Sequence, residues 1–347
     1  MSTIRNDPPF VIITHGLPEQ WLASLEGRVR SVTGPPDEGG FTPELLERLP
    51  EAEGMFTLLT DRVDESILER APHLRVVSNM AVGVDNIDVA ACNRRGIPVG
   101  NTPGVLTEGT ADLTMALLLS AARRLPEAAR DARQGRWKTW TPTGWLGADL
   151  SGATLGIVGM GKIGKAVARP AHGFSMRLVY SDTSPAPEIE DHYQAQRLPF
   201  DELLRQSDFV SLHTPLTPDT RGLIGERAMR MMKPSAILVN ASRGPIVDQQ
   251  ALLRALRENW IAAAALDVTD PEPLPPDHPL YSQPNCLIVP HIGSATHNTR
   301  RRMAELACEN LLAGLAGEKL PHYVGEVERF TKNPGSTGRK NFVNFQP

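Results

Sequence analysis

Residues 153–182 constrain the fold more than any other part of this chain. A short apolar run leads into a glycine-rich turn, an amphipathic segment follows, and a second apolar run ends at an acidic residue. This order predicts a strand, a tight turn, a helix and a second strand. The turn and the start of the helix contain Gly159, Met160, Gly161, Lys162, Ile163 and Gly164.

The spacing of these glycines suits a bound dinucleotide. The first permits the turn, the second lets the backbone approach a pyrophosphate, and the third lets the helix pack close to the strand, with its N-terminus facing the phosphates. Asp182 follows at about the 20-residue distance where a carboxylate binds a ribose 2′-hydroxyl and repels a 2′-phosphate. A glycine turn without a ligand is the alternative. Strand, helix and acid in register favour a dinucleotide site, which also includes Ser181 and Thr183.

Charge and composition argue against several classes of function. A net charge of −4 offers nucleic acid or an anionic membrane no attraction. The apolar runs near the N-terminus and at 115–122 are too short for a signal peptide or a membrane helix. Three widely spaced cysteines indicate free thiols in a reducing cytoplasm. The nine histidines form no HxxxH or HxH pair, so we expect no metal.

Strand-like apolar runs alternate with helical patterns over the first hundred residues, and the alternation restarts at residue 153. Such alternation predicts parallel sheets with helices on both faces. The expected fold class is α/β, with two Rossmann- or flavodoxin-like, doubly wound domains and a cleft between them. The pattern also predicts a helix at 19–25 and a long helix at 107–125 that Pro126 interrupts.

Because the dinucleotide motif begins in mid-chain, the cofactor domain is predicted to be inserted into the first domain. The substrate-binding domain then comprises 1–101 and 292–328, the NAD-binding domain 102–291, and an irregular tail 329–347. Trp137, Trp140 and Trp145 crowd an irregular stretch before the motif. They are typical of an arm packed against a second subunit and equally of a loop within one domain.

Ligands of open parallel sheets bind beyond the carboxyl ends of the strands. In the second half of the chain, every predicted strand ends in a group that can hydrogen-bond or carry charge. Besides Asp182, these candidates are His213, Thr214, Pro215, Ala241, Ser242, Arg243, Asp267, His291 and Gly293.

Arg243, His291 and Glu272 form a chemically coherent set. A guanidinium binds a carboxylate or polarises a carbonyl, an imidazole delivers a proton, and a carboxylate keeps that imidazole protonated. Each also has an ordinary alternative: a structural ion pair, a hydrogen-bonded strand end and an exposed turn, respectively. In the first domain, the N–H groups of Val82 and Gly83 form either an anion site or a plain turn.

The chain resembles the D-isomer-specific 2-hydroxyacid dehydrogenases from about residue 10 to 320. Four motifs occur in the family's order: the glycine turn, Asn-Ala-Ser-Arg-Gly at 240–244, Ala-Leu-Asp-Val at 265–268 with Glu272, and Pro-His-Ile-Gly-Ser-Ala-Thr at 290–296. Within the family it is most similar to glyoxylate/hydroxypyruvate reductases, through residues 81–88 and 101–107.

The resemblance implies catalytic roles. Arg243 meets the substrate carboxylate and carbonyl, His291 is the general acid or base, and Glu272 is its partner. The implied reaction is NAD-dependent reduction of glyoxylate or hydroxypyruvate to the D-2-hydroxy acid. A homodimer is also implied.

The resemblance also implies binding roles. The Val82 and Gly83 amides bind the substrate carboxylate, and Ser294 contacts the substrate. Thr110 contacts the cofactor, and Asp267 meets the nicotinamide carboxamide.

This sequence departs from several similar reductases at the end of the second strand of the dinucleotide motif. Those reductases carry an arginine that matches a 2′-phosphate, whereas this chain has Asp182 followed by Thr183 and Ser184. We therefore expect NADH to be preferred over NADPH. Two other functions stay open: a dehydrogenase for a larger D-2-hydroxy acid or 3-phosphoglycerate, and a nicotinamide-sensing, corepressor-like binding protein.

Overall fold

The computed structural model describes residues 7–325, so the predicted tail at 329–347 lies outside the described residues. The described residues divide into two units, 7–105 with 300–325, and 106–299. Each unit contains its own sheet of mostly parallel strands. The predicted α/β class with two parallel-sheet domains is therefore confirmed.

The first unit begins with the strands β1 (Phe10–Ile13), β2 (Arg30–Thr33), β3 (Gly54–Thr57), β4 (Val76–Asn79) and β5 (Val99–Gly100). Between them lie the helices α1 (Pro43–Arg48), α2 (Glu65–Arg70) and α3 (Val89–Arg94). Each helix follows a capping side chain, Thr42, Asp64 or Asp88, that accepts hydrogen bonds from N–H groups of the first turn. The single helix predicted at 19–25 is wrong. That segment forms two 3₁₀ turns without side-chain caps, whereas a capping side chain precedes each of the three α-helices.

The second unit begins with the helices α4 (Thr107–Ala122) and α5 (Leu125–Arg133). The predicted long helix ends at Ala122 because Arg124 adopts a left-handed conformation with φ 52°. The strands of this unit are β6 (Thr154–Val158), β7 (Arg177–Ser181), β8 (Gln196–Arg197), β9 (Phe209–Leu212), β10 (Ile237–Asn240), β11 (Ala263–Leu266) and β12 (Cys286–Ile288). Its other helices are α6 (Lys162–Gly173), α7 (Pro187–Tyr193), α8 (Phe200–Gln206), α9 (Glu226–Met231) and α10 (Gln249–Arg257).

All strand pairs of the second sheet are parallel, in the order β12-β11-β10-β9-β6-β7-β8. The strands β6, β9 and β10 are buried along their whole length, as expected for a parallel sheet covered on both faces. The strand order reverses between β6 and β9. The carboxyl ends of these two strands therefore form a topological switch point, where open α/β sheets bind ligands.

The chain returns to the first unit through α11 (His297–Ala316), whose first three residues belong to the second unit, and β13 (Tyr323–Val324) is the last strand among the described residues. β13 pairs antiparallel with β5, which gives the sheet order β13-β5-β4-β3-β1-β2. The buried side chain of Asn310 on α11 binds Asn101 O and His322 N, both at 2.9 Å. Within residues 7–325, no helix combines the length and apolarity needed to cross a membrane.

Candidate active site

The glycine turn after β6 lies at the switch point of the second sheet. Gly159 has φ +92°, and a Cβ there would lie 2.7 Å from both His213 C and Thr214 N. Only glycine fits this position without backbone displacement. Gly161 precedes α6 with φ −72°, and a Cβ there would meet no atom within 4 Å. Open space therefore lies beside the N-terminus of α6, whose first residues are Lys162 and Ile163.

Asp182 follows β7 and is held by the glycine turn. Its Oδ2 accepts a hydrogen bond from Met160 N at 2.6 Å, and its Oδ1 accepts from Ser184 N at 3.0 Å and Thr183 Oγ1 at 3.2 Å. Arg197 Nη2 donates to the carbonyl oxygens of both Asp182 and Thr183 at 2.9 Å. These contacts fix the acid beside the turn. The arginine was not predicted as part of the site.

His213 follows β9, the other strand of the switch point. Its Nε2 lies 2.8 Å from Ser211 Oγ, and its Nδ1 is buried with no hydrogen-bond partner among residues 7–325. Burial lowers the pKa of His213 to about 4, so the ring is neutral at pH 7. The next carbonyl, that of Thr214, accepts a short hydrogen bond from Ser242 Oγ. Pro215 is exposed.

Arg243 follows β10 in a turn that Asn240 holds. The Asn240 carboxamide donates to Arg243 O at 2.9 Å and accepts from Ser242 N at 3.1 Å. Arg243 Nη1 also donates to Ser242 O at 2.8 Å. The turn therefore has a defined backbone geometry at Ala241, Ser242 and Arg243.

Asp267 follows β11 and is 2% exposed. Its two carboxylate oxygens accept hydrogen bonds from Ile292 N at 2.6 Å and Gly293 N at 2.9 Å. Burial raises its pKa, and these backbone hydrogen bonds oppose that rise. From α4, Thr110 Oγ1 donates to Gly293 O at 3.3 Å. The buried carboxylate thus orients the chain directly after His291, next to the half-buried Ser294.

His291 follows β12 and forms a short contact between its Nδ1 and Glu272 Oε1. The two side chains are 24% and 31% exposed, respectively. His291 adopts a left-handed backbone conformation, φ 50°, which is uncommon for a non-glycine residue. Because β10, β11 and β12 are neighbours, Arg243, Asp267 and His291 follow three adjacent parallel strands.

The predicted substrate loop lies in the first unit, after β4. Three consecutive carbonyl groups of this loop each accept a hydrogen bond. Thr102 N donates to Ala81 O at 2.9 Å, Asn101 Nδ2 to Val82 O at 2.8 Å, and Asn79 Nδ2 to Gly83 O at 3.0 Å. The binding of a carboxylate by Val82 and Gly83 stays a prediction. Asn79 terminates β4, so the strand-end rule identifies it once the rule is extended to the first sheet.

Similarity to known proteins extends over nearly the whole chain. A family model described as "D-isomer specific 2-hydroxyacid dehydrogenase, NAD binding domain" matches residues 115–293. A glyoxylate reductase of Korarchaeum cryptofilum (strain OPF8) is 48% identical over 328 residues, which cover 94% of this chain and 99% of that one.

Two solved structures extend this similarity to the fold. A protein of Thermus thermophilus has a TM-score of 0.85 and 49% identity, and the match covers 91% of this chain and 100% of that one. The NADPH-dependent glyoxylate/hydroxypyruvate reductase of Sinorhizobium meliloti, solved with NADP and malonate, has a TM-score of 0.80 and 30% identity, with 92% and 97% covered.

Proposed function

The chain belongs to the D-isomer-specific 2-hydroxyacid dehydrogenase family, and from this membership we propose that it reduces a small 2-oxo acid, glyoxylate or hydroxypyruvate. The product is the corresponding 2-hydroxy acid, of D configuration where it is chiral. The observation that carries the proposal is the contact between His291 Nδ1 and Glu272 Oε1. This contact couples a proton donor to a carboxylate at the strand ends of a nucleotide-binding sheet.

The residues around the glycine turn fit a nicotinamide dinucleotide. The open space at Gly161 leaves the N-terminus of α6 free for a pyrophosphate, and Asp182 offers a carboxylate to a ribose. When bound, the reduced nicotinamide supplies a hydride to the carbonyl carbon of the substrate.

The chain's own residues supply the proton and stabilise the charge. Because Nδ1 of His291 faces Glu272, Nε2 is the nitrogen that delivers a proton to the substrate oxygen. The Glu272 carboxylate fixes the orientation of the ring through its contact with Nδ1. The Arg243 guanidinium stabilises negative charge on the oxygen that is being reduced and binds the substrate carboxylate.

NADH is the proposed cofactor, in preference to NADPH. The carboxylate of Asp182 binds Met160 N and Ser184 N beside the expected ribose position, and a 2′-phosphate there would meet negative charge. The Sinorhizobium meliloti relative is NADPH-dependent. Family membership therefore does not decide the cofactor, and both have to be assayed.

A homodimer formed through residues 134–149 is also part of the proposal. Trp137, Trp140 and Leu146 are 72%, 79% and 65% exposed, respectively, and large apolar side chains, tryptophan above all, are enriched at subunit interfaces. Light scattering on the wild type should give the mass of a dimer, and Trp137→Ser/Trp140→Ser should shift it toward a monomer. A monomeric wild type would refute this part of the proposal.

The activity is tested by initial rates of NADH oxidation with glyoxylate, hydroxypyruvate, pyruvate and phenylpyruvate, each repeated with NADPH. Fast turnover of the first two substrates with NADH is the expected result. Tight NADH binding without turnover of any of the four would contradict the proposed reaction.

A further inference from the structure

Gln249 makes two hydrogen bonds to the loop that carries Glu272. It is the first residue of α10, and its side chain reaches the backbone of Asp270. Gln249 Nε2 donates a short hydrogen bond to Asp270 O, and Gln249 Oε1 accepts from Asp270 N at 3.0 Å. One carboxamide thus satisfies both backbone polar groups of one residue, as a neighbouring strand would.

The loop has little burial of its own at this point. Val268 and Thr269 are 2% and 7% exposed, whereas residues 270–273 are exposed. Thr269 Oγ1 donates to Pro271 O at 2.8 Å, and a Cβ on Gly244 would lie 1.9 Å from Thr269 O. Packing therefore fixes the loop as far as residue 269. Packing resumes at Leu274, which is 4% exposed, and between these two points the Gln249–Asp270 contact links the exposed residues to α10.

Glu272 lies only two residues beyond Asp270, between Pro271 and Pro273. Pro271 is the one residue between them, and its ring fixes its φ near −65°, which removes one of the few backbone rotations that separate the held residue from the carboxylate. The orientation imposed at Asp270 consequently extends to Glu272, which contacts His291 Nδ1.

We propose that Gln249 is a positioning residue that holds Glu272 against His291. The inference rests on the proposed function, because it assigns Gln249 a part in proton delivery. Gln249 has no contact with the substrate in this account. It acts by keeping the exposed carboxylate within reach of the imidazole.

Loss of Gln249 should weaken the support that Glu272 gives to the imidazolium. Reduction needs the protonated ring, so kcat/KM falls as the pH rises and the ring loses its proton. With Glu272 less well placed, this alkaline limb should move to lower pH. Asp267 also acts electrostatically on His291, and it is unchanged in every variant compared below.

The kinetic test compares Gln249→Ala and Gln249→Glu with Glu272→Gln and Gln250→Ala. Gln249→Glu keeps the acceptor for Asp270 N and removes the donor to Asp270 O. Gln250 is the matched control, because it lies in the same helical turn, is exposed and uses its backbone N–H to bind Asp248. For Gln249→Ala we expect a roughly tenfold loss of kcat/KM at pH 8, with the alkaline limb shifted toward that of Glu272→Gln. NADH affinity should not change.

Three outcomes would overturn the inference: a Gln249→Ala profile that coincides with the wild type, an equal loss in Gln250→Ala, or a loss that is uniform across pH. A ¹³C-histidine NMR titration repeats the comparison without turnover, with the His291 signal assigned from its absence in His291→Ala. Its titration midpoint should fall in Gln249→Ala and not in Gln250→Ala. Absence of turnover in the wild type refutes the proposed function, whereas an unchanged midpoint refutes the role of Gln249.

Discussion

Alanine at Gly161 is expected to leave the fold intact and to weaken NADH binding. The φ of −72° at this residue is one that any L-residue adopts, and an added Cβ would meet no protein atom within 4 Å. The protein itself therefore does not require a glycine here. A pyrophosphate at the N-terminus of α6 does require it, because the methyl group would occupy the space of the phosphate oxygens.

Gly159 offers the matched variant with the opposite outcome. Its φ of +92° and the 2.7 Å distance from an added Cβ to backbone atoms of His213 and Thr214 both disfavour alanine. Such a backbone conformation costs a non-glycine residue about 1–3 kcal/mol, and relief of the clash adds a backbone shift. We expect Gly159→Ala to lower the free energy of unfolding by about 2–4 kcal/mol. For Gly161→Ala the change should stay within about 0.5 kcal/mol.

The size of the binding defect follows from the hydrogen bonds that a displaced phosphate loses. A hydrogen bond from a backbone N–H to a charged oxygen contributes about 1.5–3 kcal/mol. Loss of one such bond in Gly161→Ala should weaken NADH binding roughly 10- to 100-fold.

The two variants are compared by urea unfolding and by titration of NADH fluorescence. Gly161→Ala should unfold like the wild type and bind NADH poorly, and Gly159→Ala should unfold at lower urea. Wild-type NADH affinity in Gly161→Ala would mean that no phosphate approaches the turn, which would refute the placement of the dinucleotide. Strong destabilisation by the same substitution would refute the claim of free space.

His291→Ala should lower kcat at least ~10²-fold with NADH binding retained, as loss of a general acid does; unchanged turnover would remove His291 from the mechanism. Asp182→Ala should reduce the preference for NADH over NADPH, measured as the ratio of kcat/KM values, roughly tenfold, and an unchanged ratio would contradict the role of the carboxylate. Burial lowers the pKa of His213 from 6.5 to about 4. As the pH falls from 6.5 toward 4, this histidine therefore binds a proton in the unfolded chain but not in the folded one, and the free energy of unfolding decreases. Between pH 7.5 and 5, urea unfolding should show a loss about 2 kcal/mol larger in the wild type than in His213→Gln; equal losses would rule out this origin.

Strands with buried apolar runs are the elements that the sequence indicates most clearly. β6, β9 and β10 are fully buried and stand out as apolar segments. β2 and β8 carry no such signal, because nearly all of their residues are exposed and their sequences, Arg-Ser-Val-Thr and Gln-Arg, lack apolar alternation. Backbone pairing at the edge of a sheet determines these two strands, and single-sequence periodicity does not detect such pairing.

The same distinction applies to the candidate site. The strand-end rule identified His291 and Arg243 because it needs only the order of apolar runs. Gln249 and Arg197 bind backbone carbonyls that lie 21 and 15 residues away in sequence. A polar side chain at a helix start or an exposed strand is equally compatible with solvent, so no local pattern distinguishes such an anchor before the chain is folded.

Three side chains of the second unit bind the backbone next to the proposed catalytic residues. Asn240 binds the backbone around Arg243, Asp267 binds the two residues after His291, and Gln249 binds the loop before Glu272. Each anchor holds backbone rather than a catalytic side chain, so its loss displaces a reacting group without removing it. Displacement of a reacting group by about 1 Å is enough to slow a reaction strongly. The glycine turn and Asp182 lie at the ends of two other strands, β6 and β7. Substitution of Asn240 or Gln249 should therefore reduce kcat with little change in NADH affinity, and substitution at the turn should reduce NADH affinity first. Substitution of Asp267, which the resemblance places at the nicotinamide carboxamide, should reduce both.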